Sequence, residues 1–158
     1  MRGRAASEPG AGGKRRRRLQ SDPRFKFATR DDLLARYAAI RSRIDTVLPQ
    51  FFATLPRGRF EIRPFPKEQE ESGGGAYYVI GTPDGERPGT FFVNTSDLAT
   101  RTSPRMTALL LHETVPGHHL QGALAQEDAT LPALLRFGWN AGFGEGWGLY
   151  SGWLGSSC

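Results

Sequence analysis

Apolar positions change their period along this chain, and each change predicts a different element. From Asp31 to Leu55 the residues Leu33, Leu34, Tyr37, Ile40, Ile44 and Leu48 recur at steps of three and four, the spacing that lines one face of a helix. Thr29, Asp31 and Asp32 provide acceptors and negative charge for its N-terminus. Pro49 is expected to end or kink it, with Phe51, Phe52 and Leu55 following as apolar anchors. Between residues 59 and 95 the pattern becomes strand-like. Arg59-Phe60-Glu61-Ile62-Arg63 alternates, while Ala76-Tyr77-Tyr78-Val79-Ile80 and Thr90-Phe91-Phe92-Val93-Asn94 are aromatic and β-branched. An acidic stretch over 68–75 and the turn-rich residues 82–89 separate these segments, which predicts surface loops joining a small antiparallel β-hairpin sheet.

Ser103-Pro104 predicts a helix start, with Ser as cap and Pro at the first helical position. Met106 to Glu113 then runs almost continuously apolar, as in a helix buried on most sides. A further helical stretch is predicted from Leu131-Pro132 through Leu134, Leu135 and Phe137 into Trp139–Tyr150, whose glycines weaken an isolated helix and point to close packing. The fold class expected is α+β, mainly helical with that small sheet.

At 158 residues the chain allows one domain of moderate size. Its charge of +5 is uneven: residues 1–20 hold seven Lys/Arg and one acid, a net of +6, which leaves −1 for the other 138 residues. The first twenty residues, with Lys14-Arg15-Arg16-Arg17-Arg18, lack apolar periodicity and are expected to form a disordered basic tail ahead of a domain over 21–158. Nucleic acid is a weak expectation as a partner, because no base-reading residues accompany the arginines and the remainder carries no net positive charge. The single cysteine, Cys158, excludes an intramolecular disulfide. No apolar run reaches the length of a membrane span and no apolar segment follows the basic N-terminus, so the cytoplasm stands as the default compartment and the oligomeric state is left open.

All three histidines fall within His112-Glu113-Thr114-Val115-Pro116-Gly117-His118-His119. Neutral imidazoles beside a carboxylate are what a zinc hydrolase needs, as metal ligands and as a base for its water. The usual metallopeptidase spacing, HExxH, puts both histidines on one helical face; here it is six or seven. On a regular helix, residues six apart are rotated by about 240° and residues seven apart are separated by about 10 Å, so neither pair could clasp one ion. Pro116 removes the N–H that would bond His112 and Gly117 admits unusual backbone angles, so a bulge is expected between the histidines. Two residues absorbed there would return His118 to the face of His112. Glu113 would then be the base, and Glu145, the only acid in a glycine-rich aromatic segment, the third ligand. Tyr77, Tyr78, Trp147 and Tyr150 more often serve as core or interface aromatics than as catalytic groups.

His112–Gln121 resembles the HExxPGHHLQ signature of the bacterial domain of unknown function 885 family, and Glu145-Gly146-Trp147-Gly148-Leu149-Tyr150 resembles its EGWALY block, with Gly148 in place of the usual alanine. Tyr77-Tyr78 and Phe92-Val93-Asn94-Thr95 occur in the matching order. That family looks like a branch of the zinc metallopeptidases that includes angiotensin-converting enzyme and thimet oligopeptidase. The resemblance implies zinc on His112, His118 and Glu145, with His118 preferred over His119 by its Gly-His-x-Leu context. It further implies Glu113 as general base, His119 as a catalytic-site group that either supports the metal ligands from behind or contacts the transition state, and a peptide-like substrate paired with an edge strand at Ala76–Ile80 or Thr90–Asn94, with Tyr77, Tyr78 and Asn94 as substrate-binding residues. Members are several times longer, so the chain resembles a fragment of a larger zincin-like helical fold, and a remnant that binds metal without turnover is the alternative.

Overall fold

The periodic stretch after Thr29 folds as helix α1 (Arg30–Phe51), and its start is held by a reciprocal cap. Asp32 N donates to Thr29 Oγ1 at 3.1 Å, and Thr29 N donates to the Asp32 carboxylate at 3.0 Å. Leu33, Tyr37, Ile40, Ile44 and Leu48 are the buried face, as the spacing predicts. Pro49 does not break the helix; it sits in the last turn, and the chain leaves at Phe52, whose N–H still bonds Leu48. The computed structural model describes residues 18, 19, 21–72 and 74–155. The basic tail, apart from Arg18 and Leu19, and Cys158 lie outside the described residues.

Three strands follow, β1 (Phe60–Pro64), β2 (Ala76–Val79) and β3 (Gly89–Val93), in the spatial order β1-β3-β2. β2 and β3 form the expected antiparallel hairpin, with Tyr77 opposite Phe92 and a turn in which Gly85 takes a φ of 79°. The wholly antiparallel sheet is corrected: β1 runs parallel to β3, Phe60 opposite Gly89. The connection from β1, which includes a 3-10 helix over Lys67–Ser72, is long enough to carry the chain across to the far edge of β3. β3 is therefore central and almost entirely buried, while β2 keeps one edge unpaired.

Ser103-Pro104 begins a short 3-10 turn, and Ser103 makes no side-chain cap. That turn leads into α2 (Met106–Glu113), with α3 (His118–Glu127), α4 (Ala133–Phe137) and α5 (Ala141–Leu154) after it. The expected single stretch from 131 to 150 is two helices, because Gly138 leaves the helical conformation and Asn140 starts a new one by accepting from Phe143 N at 3.0 Å. The core lies between α1, α2 and one sheet face, centred on Phe91 and Leu110 at 0% exposure. Tyr37 meets Phe91 edge-on at 5.2 Å. Among the described residues no helix is long and apolar enough to cross a membrane.

Candidate metal centre

The break between the histidines is larger than a bulge. α2 ends at Glu113, Thr114 leaves helical angles at φ −118° and ψ −107°, and α3 begins at His118. The carbonyl of Thr114 accepts from the N–H groups of His119 and Leu120 at 3.0 and 3.3 Å, so the end of one helix serves the start of the next. Gly117 passes directly over the last turn of α2. A Cβ there would lie 1.8 Å from the carbonyl oxygen of His112 and 2.4 Å from that of Leu111, a space only glycine can use.

This reversal brings His118 beside His112, their rings 4.7 Å apart and nearly perpendicular. α5 packs along α2 and presents Glu145 to both: Oε2 is 3.3 Å from His112 Nε2, and Oε1 is 3.8 Å from His118 Nε2. One donor atom from each of the three residues falls within 4.8 Å of the others. Two imidazoles and a carboxylate are a zinc donor set that leaves a fourth position open. His118 is held below the usual histidine pKa by burial and then by the neighbouring His112, which keeps its imidazole in the neutral, ligating form. Its Nδ1 is buried with no hydrogen-bond partner among the described residues. The residues present fit a bound metal ion.

Two further features set the ring positions. Trp147, one of the aromatics with a core assignment from sequence, donates from Nε1 to the carbonyl oxygen of Pro116 at 2.6 Å, tying α5 to the Pro-Gly break. Gly148 faces the His112 ring, where a Cβ would stand 2.7 Å from Cε1 and 2.9 Å from Nδ1 and Nε2. The glycine in place of alanine thus makes room for the imidazole, and neither contact is visible in local sequence.

Glu113 is half-buried next to this group. Burial, and then the negative charge of Glu145, raise its pKa from 4.5 to about 7, while the main-chain N–H of Tyr78 pulls it back. His112 and Glu113 line two clefts at once. One, of about 730 Å³, extends past Tyr37, Ala76 and Arg101. The other, of about 500 Å³, extends past Tyr78, Gln121, Trp139 and Phe143.

His119 is not in this group. It is buried at 3% exposure, its Nε2 against the carbonyl oxygen of Gly58 at 3.1 Å and its Nδ1 against the Tyr78 hydroxyl at 2.6 Å. A carbonyl only accepts, so Nε2 carries the proton and Nδ1 accepts from Tyr78. Burial lowers its pKa to about 4. The structure thus places His119 apart from the His112–His118–Glu145 cluster, as a neutral link between α3, β2 and the loop at Gly58. Asn94 is likewise occupied: its amide donates to the carbonyls of Glu70 and Gly74 at 2.9 and 3.0 Å and accepts from Ser96. Its side-chain amide thus braces a loop. Tyr77 and Tyr78 both border the second cleft, Tyr77 with its hydroxyl donating to Gln69 at 2.6 Å. Of the two edge-strand alternatives only β2 has an open edge, since β3 is paired on both sides.

A family model described as "Bacterial protein of unknown function (DUF885)" matches residues 2–157. No curated protein matches the chain. A crystal structure described as that of the "putative lipoprotein" from Colwellia psychrerythraea superposes with a TM-score of 0.87 at 30% sequence identity, covering 94% of this chain and 26% of that one. The chain thus spans about a quarter of that structure's length. This match overturns the cytoplasmic default: lipoproteins are a membrane-anchored or secreted class, and the chain shares the fold of a protein so described.

Proposed function

The chain belongs to the DUF885 family of bacterial proteins, and we propose that it carries the metal centre of a zinc-dependent metallopeptidase that hydrolyses peptide or related amide bonds. The convergence of His112, His118 and Glu145 within 4.8 Å, with the half-buried Glu113 alongside, carries this reading. The three ligands would hold the ion. Bound there, zinc supplies Lewis acidity, lowering the pKa of a coordinated water and polarising the scissile carbonyl.

The remaining chemistry belongs to the chain itself. Glu113, in its ionised form, accepts a proton at a carboxylate oxygen from the attacking water and passes it to the leaving nitrogen. The open edge of β2 offers main-chain N–H and C=O groups to an extended peptide. Trp139 and Phe143, beside Glu145 in the second cleft, offer exposed aromatic surface to substrate side chains. A second reading is metal held without turnover.

The test is metal content measured on purified protein together with hydrolysis of a mixed peptide library by the wild type and Glu113→Gln. Zinc in both proteins, with activity reduced about 100-fold or more in the variant, supports the peptidase. Zinc in both and no activity in either favours the second reading.

A further inference from the structure

Arg101 is a partly buried charge of the larger cleft without an ion-pair partner among the described residues. Its guanidinium donates to the carbonyl oxygen of Gly74 at 3.3 Å, its Nε is buried with no hydrogen-bond partner, and among the described residues no carboxylate pairs with it. A partly buried cation with an unfilled donor fits a planar anion, and the guanidinium fork matches a carboxylate. Among the described residues the only acid lining this cleft is Glu113, which the proposed reaction already uses, whereas both Arg101 and the exposed Arg105 border it.

Tyr37 adds a neutral donor. It is 4% exposed, borders the same cleft and lies within electrostatic reach of both Arg101 and Glu113. Burial pushes its phenol well above the usual tyrosine range, so the hydroxyl keeps its proton. The second cleft lacks an equivalent site. Its cation, Arg136, also has an Nε unpartnered among the described residues, but it donates to the carbonyl of Gln126 at 2.7 Å and sits 5.0 Å from the Phe137 ring centre.

Strand direction says which end of a peptide would meet Arg101. Gly75 and Ala76, at the start of β2, border the Arg101 cleft, while Tyr78 and Ile80, at its end, border the other. A peptide added antiparallel to β2, the slightly more stable ladder, would leave its C-terminal part beside Gly75. We propose that the cleft formed by Arg101, Tyr37 and Gly75 is a receptor for the C-terminal carboxylate of a peptide, so that the preferred substrates are cut near a free C-terminus. This rests on the metallopeptidase reading above.

The experiment compares one short N-acetylated peptide as free acid and as C-terminal amide. Binding to the metal-free full chain is measured by calorimetry, and cleavage by the zinc-loaded chain. The acid should bind at least tenfold more tightly, Arg101→Gln should remove the difference, and Arg101→Lys, which keeps the charge without the fork, should retain part of it. Equal binding of acid and amide, or a preference unchanged in Arg101→Gln, overturns the proposal. If Arg101→Gln does not fold, an Arg101→Lys variant with an undiminished preference overturns it and a weakened one supports it. An acid preference in binding, with neither peptide cleaved, supports the receptor while removing the peptidase reading; equal cleavage of both forms does the reverse.

Discussion

The indole of Trp147 donates to the carbonyl oxygen of Pro116 at 2.6 Å, linking the helix that carries Glu145 to the break that separates His112 from His118. The Pro-Gly interruption and the aromatic block thirty residues later are therefore parts of one device. Trp147→Phe keeps an aromatic ring and removes this bond. We expect zinc affinity to fall by about 10-fold with helix content unchanged, measured by chelator competition and far-ultraviolet circular dichroism.

Gly117→Ala should be far more damaging, because the added methyl meets two main-chain carbonyls rather than movable side chains. The variant is expected to lose metal binding, together with about 2 kcal/mol or more of stability. Denaturant titration and metal analysis on the same preparation check both parts.

His119→Phe tests whether that histidine is a strut. It leaves the Gly58 carbonyl and the Tyr78 hydroxyl without their partner in a buried site, which costs about 2–4 kcal/mol. Zinc stoichiometry should be unchanged, since no ligand is touched. A variant of normal stability that has lost its metal would contradict the assignment.

Glu113 gives a pH signature in the metal-free protein. Its folded pKa, about 7, lies above the ordinary 4.5, so the fold binds this proton more tightly than the unfolded chain does. The stability it contributes is complete below pH 4.5 and is lost as pH rises through 7. Glu113→Gln removes that dependence, so at about pH 8 the variant should melt higher than the wild type, while near pH 4 the difference should vanish. Thermal melts at the two pH values decide it.

How far the sequence could be read differs from element to element. α1 and its buried face follow directly from three- and four-residue spacing, because one helix repeats one environment. The clustering of His112, His118 and Glu145 was legible for a different reason: histidines and an isolated acid are few and chemically distinctive, and Pro116-Gly117 marks the reversal that brings residues six apart together. The strand order was not legible, since patterning identifies strands but not which edge of β3 the chain reaches after β1. The bulge was underestimated because Thr114 also leaves the helix. That His119 lies apart from this cluster follows from helix geometry: neighbours on a helix point about 100° apart, so the residue after His118 faces elsewhere. Asn94 and Trp147 depended on tertiary partners, Gly74 and Pro116, that local sequence does not reveal.

The most direct test of the metal centre is zinc stoichiometry by atomic emission on the wild type, His118→Ala, Glu145→Gln and His119→Phe, each purified in the presence of zinc. The account predicts roughly one zinc per chain in the wild type and in His119→Phe, and marked loss in His118→Ala and Glu145→Gln. Metal-free wild-type protein, or zinc retained by His118→Ala and lost by His119→Phe, would contradict it.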